Sequence, residues 1–115
     1  MIGDVKIIAL LICCFFSGCI ETPLELKSVE YKASCFFGTC DVKYKNEDAN
    51  IAESKDESTW FYQFDAYTKT DLYLYAKKDQ AEGELTIQIL IDGDIYKSTT
   101  TSSAFGEAEL NAIVR

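Results

Sequence analysis

From Leu26 onward the chain alternates apolar and polar residues with a period of two, which is the pattern of β-strands that bury one face. The alternation recurs in short runs between turn-forming residues, and no run has the spacing of a long amphipathic helix. About seven such strands in one small domain predict an all-β fold, an antiparallel β-sandwich, and disfavour βαβ units. A closed β-barrel of similar size is the alternative architecture.

Three segments predict particular elements within this sandwich. One apolar stripe predicts a central strand and consists of Leu85, Ile87, Ile89 and Ile91. The following Asp92-Gly93-Asp94 predicts a hairpin, because an Asp-Gly pair adopts positive φ at little cost. The polar run Asn46–Ser58 predicts a loop, or a loop around a short edge strand, and Lys77–Glu84 predicts a turn.

The N-terminal residues have a different character. The apolar run Ile7–Phe16 is shorter than the roughly 20 residues that a membrane-spanning helix needs, but it suits the apolar part of a signal peptide. The sequence Phe16-Ser17-Gly18-Cys19 resembles the lipobox of bacterial lipoproteins, in which the cysteine becomes the lipidated first residue of the mature chain. A plain secretory signal cut near Gly18 and an uncleaved anchor are the alternatives.

This resemblance divides the chain into a signal peptide (1–18), a lipidated tether (19–25) and a β-sandwich domain (26–115). It implies that Cys19 carries lipid, palmitate among the acyl groups, and that the protein is held on the cell membrane or the outer membrane. The domain would then face the periplasm or the cell exterior, and the membrane is its first expected partner.

Two cysteines, Cys35 and Cys40, remain as a pair within the domain. In an oxidising compartment such a pair predicts a disulfide, which would close a six-residue loop and contribute about 2 kcal/mol. A reactive or metal-binding dithiol is the alternative, but the spacing is not C-x-x-C and the chain contains no histidine.

Charge and composition exclude several classes of function. The net charge of −8 repels phosphate backbones, so nucleic acid is not an expected partner. Without histidine the common serine and cysteine nucleophile systems are absent, and no glycine-rich phosphate loop is present. Five carboxylates are candidate calcium ligands but lack the spacing of an EF-hand loop: Asp92, Asp94, Glu47, Asp48 and Glu53. We therefore expect no catalytic residues, no metal and no cofactor.

Aromatic residues are more abundant than one small core requires. The alternation places Tyr73 and Tyr75 on the face opposite Leu72 and Leu74, so an outer sheet face is expected to carry tyrosines. Ordinary cross-strand pairing and a contact surface for a protein or glycan are both open interpretations. The aromatic pair between the two cysteines, Phe36-Phe37, is expected to form either an exposed anchor or a plug over the end of the sandwich.

Several short motifs resemble the MmpS-like family of small extracytoplasmic domains. They are Val29-Glu30-Tyr31, Val42-Lys43-Tyr44, Trp60, Leu72–Ala76, Thr86–Gly93 and the closing stretch Ser98–Gly106. The resemblance implies an immunoglobulin-like sandwich. Named members are accessory proteins of resistance-nodulation-division exporters and carry a transmembrane helix, whereas this chain has a lipobox.

Together these features predict a non-enzymatic envelope lipoprotein that binds or assists another envelope protein, such as a transport or export system. The candidate partner-binding residues are Tyr73, Tyr75, Phe36 and Phe37. The alternative is an inhibitor or exclusion factor that acts on an envelope enzyme or an uptake system.

Overall fold

The computed structural model describes residues 23–115, and these residues form eight β-strands. The strands are β1 (Leu26–Phe36), β2 (Cys40–Lys45), β3 (Ile51–Glu57), β4 (Thr59–Tyr67), β5 (Asp71–Lys78), β6 (Glu84–Ile91), β7 (Asp94–Thr101) and β8 (Glu107–Ile113). Sheet 1 has the order β4-β1-β6-β7 and sheet 2 the order β3-β2-β5-β8, with every pairing antiparallel. The predicted all-β sandwich is confirmed, with eight strands where about seven were expected. It is immunoglobulin-like in the broad sense of two antiparallel sheets packed face to face.

Residues 1–22 lie outside the described part of the chain, and the predicted signal peptide and the lipidation site Cys19 fall there. Both stay predictions. Between residues 23 and 115, no helix is long and apolar enough to cross a membrane.

The core lies between the two sheets and follows the sequence alternation closely. The inward side chains of β6 are fully buried, and they are Leu85, Ile87 and Ile89. Because β6 lies between β1 and β7, the predicted central strand is confirmed. Tyr31 of β1 is also fully buried, and its hydroxyl donates a hydrogen bond to the carbonyl oxygen of Lys45 in sheet 2 at 2.8 Å. This bond satisfies a polar atom in the core and links the two sheets.

The predicted hairpin between β6 and β7 is present. Asp92 and Gly93 have φ values of 52° and 87°, as a type I′ turn requires. Asp92 also exchanges two hydrogen bonds with Ser28 of β1: its amide donates to the Ser28 carbonyl oxygen at 2.8 Å, and its carboxylate accepts from the Ser28 amide at 3.0 Å. The Asp92 carboxylate therefore ties the turn to the neighbouring strand.

The polar run between residues 46 and 58 contains an edge strand, so the second of the two interpretations offered for it is correct. β3 pairs with β2, starting from Ile51 opposite Lys45, and the register shifts between Cys40 and Val42. Its outer side carries Glu53 and Lys55, which form an exposed ion pair at 3.6 Å. Charges on an edge strand oppose pairing with a further chain.

The turn predicted for Lys77–Glu84 is shorter than expected, because both lysines belong to β5 and Glu84 belongs to β6. Lys78 continues the inward side of β5 and is only 1% exposed. Its Nζ lies near four backbone carbonyl oxygens, those of Ala81 (3.3 Å), Gly83 (2.7 Å), Ser102 (3.4 Å) and Ser103 (2.9 Å). Lys78 thus fastens the β5–β6 and β7–β8 loops to one end of the sandwich.

Candidate binding surface

Tyr73 and Tyr75 lie on the outer side of sheet 2, as the alternation predicts. We call this surface the tyrosine face and define it by these two residues with Lys43 of β2 and Glu107 and Glu109 of β8. Tyr75 stands between Lys43 and Glu109 in the strand register. Both tyrosines are partly exposed, while the neighbouring Leu72, Leu74 and Ala76 are buried.

Each tyrosine hydroxyl on this face is held by a glutamate of β8. Tyr73 donates to Glu109 at 3.0 Å, and Tyr75 donates to Glu107. The hydrogen bond to Glu107, followed by desolvation, raises the pKa of Tyr75 to about 12, and burial together with Glu109 raises the pKa of Tyr73. Since the hydroxyls are engaged and the rings half-exposed, the ring faces are what the surface offers to a partner.

Lys43 adds a cation to the same surface. Its Nζ lies 5.8 Å from the centroid of the Tyr75 ring, within the range of a cation–π contact, and 3.9 Å from a carboxylate oxygen of Glu53. Tyr75 is therefore fixed from both neighbouring strands. Rigid aromatic side chains of this kind lose little conformational entropy when they bind.

A groove of about 840 Å³ opens at one end of the tyrosine face and continues past β8 to β7. We call it the basic groove because four of its lining residues are Lys43, Lys45, Lys97 and Arg115. Lys43 and Tyr73 belong to both surfaces. The groove could not be predicted from the sequence alone, because its residues come from five strands and the C-terminal end.

Phe36 and Phe37 lie at the opposite end of the sandwich, and both are exposed, at 63% and 76%. Their ring centroids are 4.1 Å apart, and Phe37 has a positive φ of 64°. Of the two arrangements expected for this pair, the structure has the exposed one. Gly83 packs so closely behind it that a Cβ there would lie 2.1 Å from the Phe36 carbonyl oxygen.

The turn that presents these rings is held by the β5–β6 loop. Asp79 donates its amide to the carbonyl oxygen of Thr39 at 3.0 Å and accepts a hydrogen bond from the Thr39 hydroxyl at 2.7 Å. The side-chain oxygen of Gln80 accepts from the Thr39 amide at 3.0 Å. The two phenylalanines therefore project from a well-anchored turn.

Cys35 and Cys40 flank that turn, and both are buried as free thiols in the structure. The Cys40 thiol donates to the carbonyl oxygen of Glu57 at 3.3 Å. Burial, followed by the adjacent Cys35 side chain, raises the pKa of Cys40. A raised pKa keeps the nucleophilic thiolate scarce, which disfavours the reactive-dithiol alternative. The disulfide itself stays a prediction.

Three carboxylates converge near the same end, those of Asp41, Asp56 and Asp79, with oxygens within 4.8 Å of one another. Sequence reasoning missed this cluster, because its members come from separate segments. The Asp41 carboxylate accepts a hydrogen bond from the Asp56 amide at 3.1 Å. We assign the cluster no metal, because exposed acidic groups often converge without one.

A cluster of three further aromatic residues closes one side of the sandwich. Tyr44 of β2 packs against Trp60 and Tyr62 of the edge strand β4, with centroid distances of 4.9 and 4.7 Å. Tyr62 donates its hydroxyl to Glu47, and this hydrogen bond raises its pKa to about 12. These partly buried rings pack against the core, so much of the aromatic surplus is structural.

The chain matches no known protein-family model, and no curated protein matches it. The resemblance to MmpS-like domains stays a prediction from the motifs.

Proposed function

We propose that this protein is a lipid-anchored, non-enzymatic protein of the cell envelope that binds another envelope protein through the tyrosine face. The lipobox-like sequence around Cys19 supports the anchor, and it supports a position on the cell membrane or the outer membrane. The absence of histidine supports a role without nucleophilic catalysis. A transport or export system is the partner that the MmpS-like motifs favour.

The observation that carries the proposal is the fixed geometry of Tyr73 and Tyr75. Their hydroxyls are held by Glu109 and Glu107, so the rings stand in place before any partner arrives. Tyrosine is enriched among the residues that dominate the energy of protein interfaces. Holding it in its bound position lowers the entropic cost of association.

Site-specific cross-linking in the native host tests the proposal. The full chain would carry a photoreactive phenylalanine analogue in place of Tyr73, and the matched control would carry it in place of Phe61. Phe61 is 66% exposed on sheet 1 and is therefore more accessible than the partly exposed Tyr73, so low accessibility could not explain a missing cross-link at position 61. We expect a discrete cross-linked envelope protein from position 73 and not from position 61.

A second measurement keeps the test independent of the analogue. Capture of that same protein should be lost when Tyr73→Ala is combined with Tyr75→Ala, and retained by Phe61→Ala, with circular dichroism confirming the fold of each variant. Equal capture by all three proteins would rule out the tyrosine face as the binding surface.

The exposed rings of Phe36 and Phe37 favour a second candidate function, an inhibitor or exclusion factor for an envelope enzyme or uptake system. Two adjacent, mutually tilted rings on an anchored turn have the form of a plug for an apolar pocket. Under this alternative, Phe36→Ser with Phe37→Ser would abolish inhibition or exclusion in cells while the tyrosine variants retain it. The opposite pattern would support the tyrosine face.

A further inference from the structure

The basic groove is locally positive, although the net charge of the chain is −8. The chain has 19 acidic residues and 11 basic ones, yet the groove is lined by three lysines and one arginine against a single acidic side chain, Asp71. Excess carboxylates elsewhere would be expected to neutralise exposed cations. Within residues 23–115, however, none of Lys45, Lys97 and Arg115 forms an ion pair.

One of these cations is also fixed in position. The Nζ of Lys97 donates to the carbonyl oxygen of Asn111 in β8 at 2.8 Å, which holds the side chain across the gap between the two sheets. A lysine Nζ has three donors, so two remain for a ligand. The adjacent Tyr96 is held similarly, since its hydroxyl donates to the Ile113 carbonyl oxygen at 3.1 Å.

Apolar side chains stand between the cations. Ile51 and Ile113 line the groove and are 58% and 52% exposed, although both are large aliphatic residues. Tyr73 joins them from the tyrosine face. The groove therefore offers anion-binding and apolar contacts side by side, which suits a ligand that alternates the two.

We propose that the basic groove binds an extended acidic segment of the partner protein, with carboxylates at Lys45, Lys97 and Arg115 and apolar side chains against Ile51, Ile113 and Tyr73. This rests on the proposed function, because it assigns a chemistry to the partner of the tyrosine face. The two surfaces share Lys43 and Tyr73, so one partner can contact both.

Size and charge favour a peptide segment over other anions. A volume of about 840 Å³ is far larger than one carboxylate or phosphate group, and it lies in the usual range of ligand clefts. An anionic membrane would face a wide area of a chain whose net charge is −8 and would be repelled. A short segment presents its charge within about one Debye length of the groove, roughly 8 Å at physiological salt.

Peptide binding to the full chain tests the assignment. The protein would be embedded in nanodiscs of phosphatidylcholine and titrated with a fluorescent octapeptide of alternating glutamate and leucine, followed by anisotropy. The control peptide has glutamine in place of glutamate. We expect saturable binding of the acidic peptide, loss of binding at about 1 M salt, where the Debye length is about 3 Å, and weak or absent binding of the control.

Matched variants locate the site. Lys45→Gln with Lys97→Gln should weaken binding about tenfold, since each contributes an exposed ion pair. Lys55→Gln with Lys77→Gln makes the same change in net charge outside the groove and should leave affinity unchanged. Equal losses in the two double variants would overturn the proposal in favour of net charge alone.

Four further results also bear on the proposal for the basic groove. Equal binding of both peptides would overturn the role of the cations, and loss of peptide binding when phosphatidylglycerol is added to the nanodiscs would assign the groove to lipid headgroups. If the acidic peptide does not bind while cross-linking from Tyr73 succeeds, the proposed function stands and only the assignment of an acidic segment to the groove is wrong. If the peptide binds but no cross-link forms from Tyr73, the basic groove does bind acidic segments and the proposed function is wrong.

Discussion

Lys78 gives the sharpest prediction about stability, because a long cationic side chain is 1% exposed at the end of β5 and contacts no carboxylate among the described residues. Within residues 23–115, the hydrogen bonds of its Nζ all go to backbone carbonyl oxygens of two loops. The substitution Lys78→Met keeps an unbranched side chain of similar length and removes the Nζ. Any loss of stability then reports on the hydrogen bonds and not on a cavity.

The magnitude follows from the two shorter contacts, those to Gly83 at 2.7 Å and Ser103 at 2.9 Å. A buried carbonyl that loses its donor costs about 1–3 kcal/mol. We take about 1 kcal/mol for each of the two carbonyls, because both belong to surface loops that water can reach. The longer contacts to Ala81 and Ser102 are left out of this sum. The expected loss is about 2 kcal/mol, a large part of the 5–15 kcal/mol typical of a whole domain.

Urea unfolding and thermal unfolding of the full chain, followed by circular dichroism, measure this loss. For a domain of this size about 2 kcal/mol corresponds to a drop of roughly 10 °C in Tm. The matched control is Lys77→Met, whose side chain is exposed on the outer side of the same strand, and it should change stability by less than about 0.5 kcal/mol. Equal stabilities for Lys78→Met and wild type would refute the reasoning, because the carbonyls would then be satisfied without Lys78.

Three further predictions concern the anchor, the thiols and the tyrosine face. Intact mass of protein from its native host should show a chain that starts at Cys19 and carries lipid; an unmodified thiol there would contradict the anchor. Alkylation in denaturant without reductant, which exposes the buried Cys35 and Cys40, should find no free thiol at either position, and reduction should cost about 2 kcal/mol of stability. Full alkylation before reduction would count against the disulfide. Because the folded pKa of Tyr75 is raised to about 12, its contribution to stability is complete below about pH 10 and is lost as pH rises towards 12. The stability difference between wild type and Tyr75→Phe should therefore shrink across that interval, and a constant difference would argue against the hydrogen bond to Glu107.

Much of the fold was predictable because burial in a two-layer sandwich imposes a period of two on every strand. β6 and the Asp92-Gly93 turn were both identified from local sequence, since strand alternation and positive φ are local properties. The sequence leaves two interpretations open for β3, because its edge position tolerates charge on both sides and alternation is weak there. The inward position of Lys78 is hard to predict because two successive lysines are typical of an exposed turn, although the alternation of β5 continues through them.

The candidate binding surface was only half predictable, because it depends on which strands pair. Alternation alone placed Tyr73 and Tyr75 on an outer face. Their hydrogen bonds to Glu109 and Glu107 depend on the pairing of β5 with β8, and between these strands the chain crosses into sheet 1 to form β6 and β7. The two tyrosines are two residues apart, and so are the two glutamates. This shared spacing indicates the hydrogen bonds only when the pairing of β5 with β8 is already known.

The two ends of the tyrosine face carry opposite charge, and this has a consequence for how a partner binds. The carboxylates of Asp41 and Asp79 lie towards one end, and the basic groove with Lys45 lies at the other. Tyr73 and Tyr75 stand between them. If the proposed acidic segment enters the groove, it would be attracted there and repelled at the far end, so only one orientation of the partner would satisfy both the charges and the rings. Charge arranged in this way mainly sets orientation and association rate, while the fixed tyrosine rings would supply the apolar contact that slows dissociation.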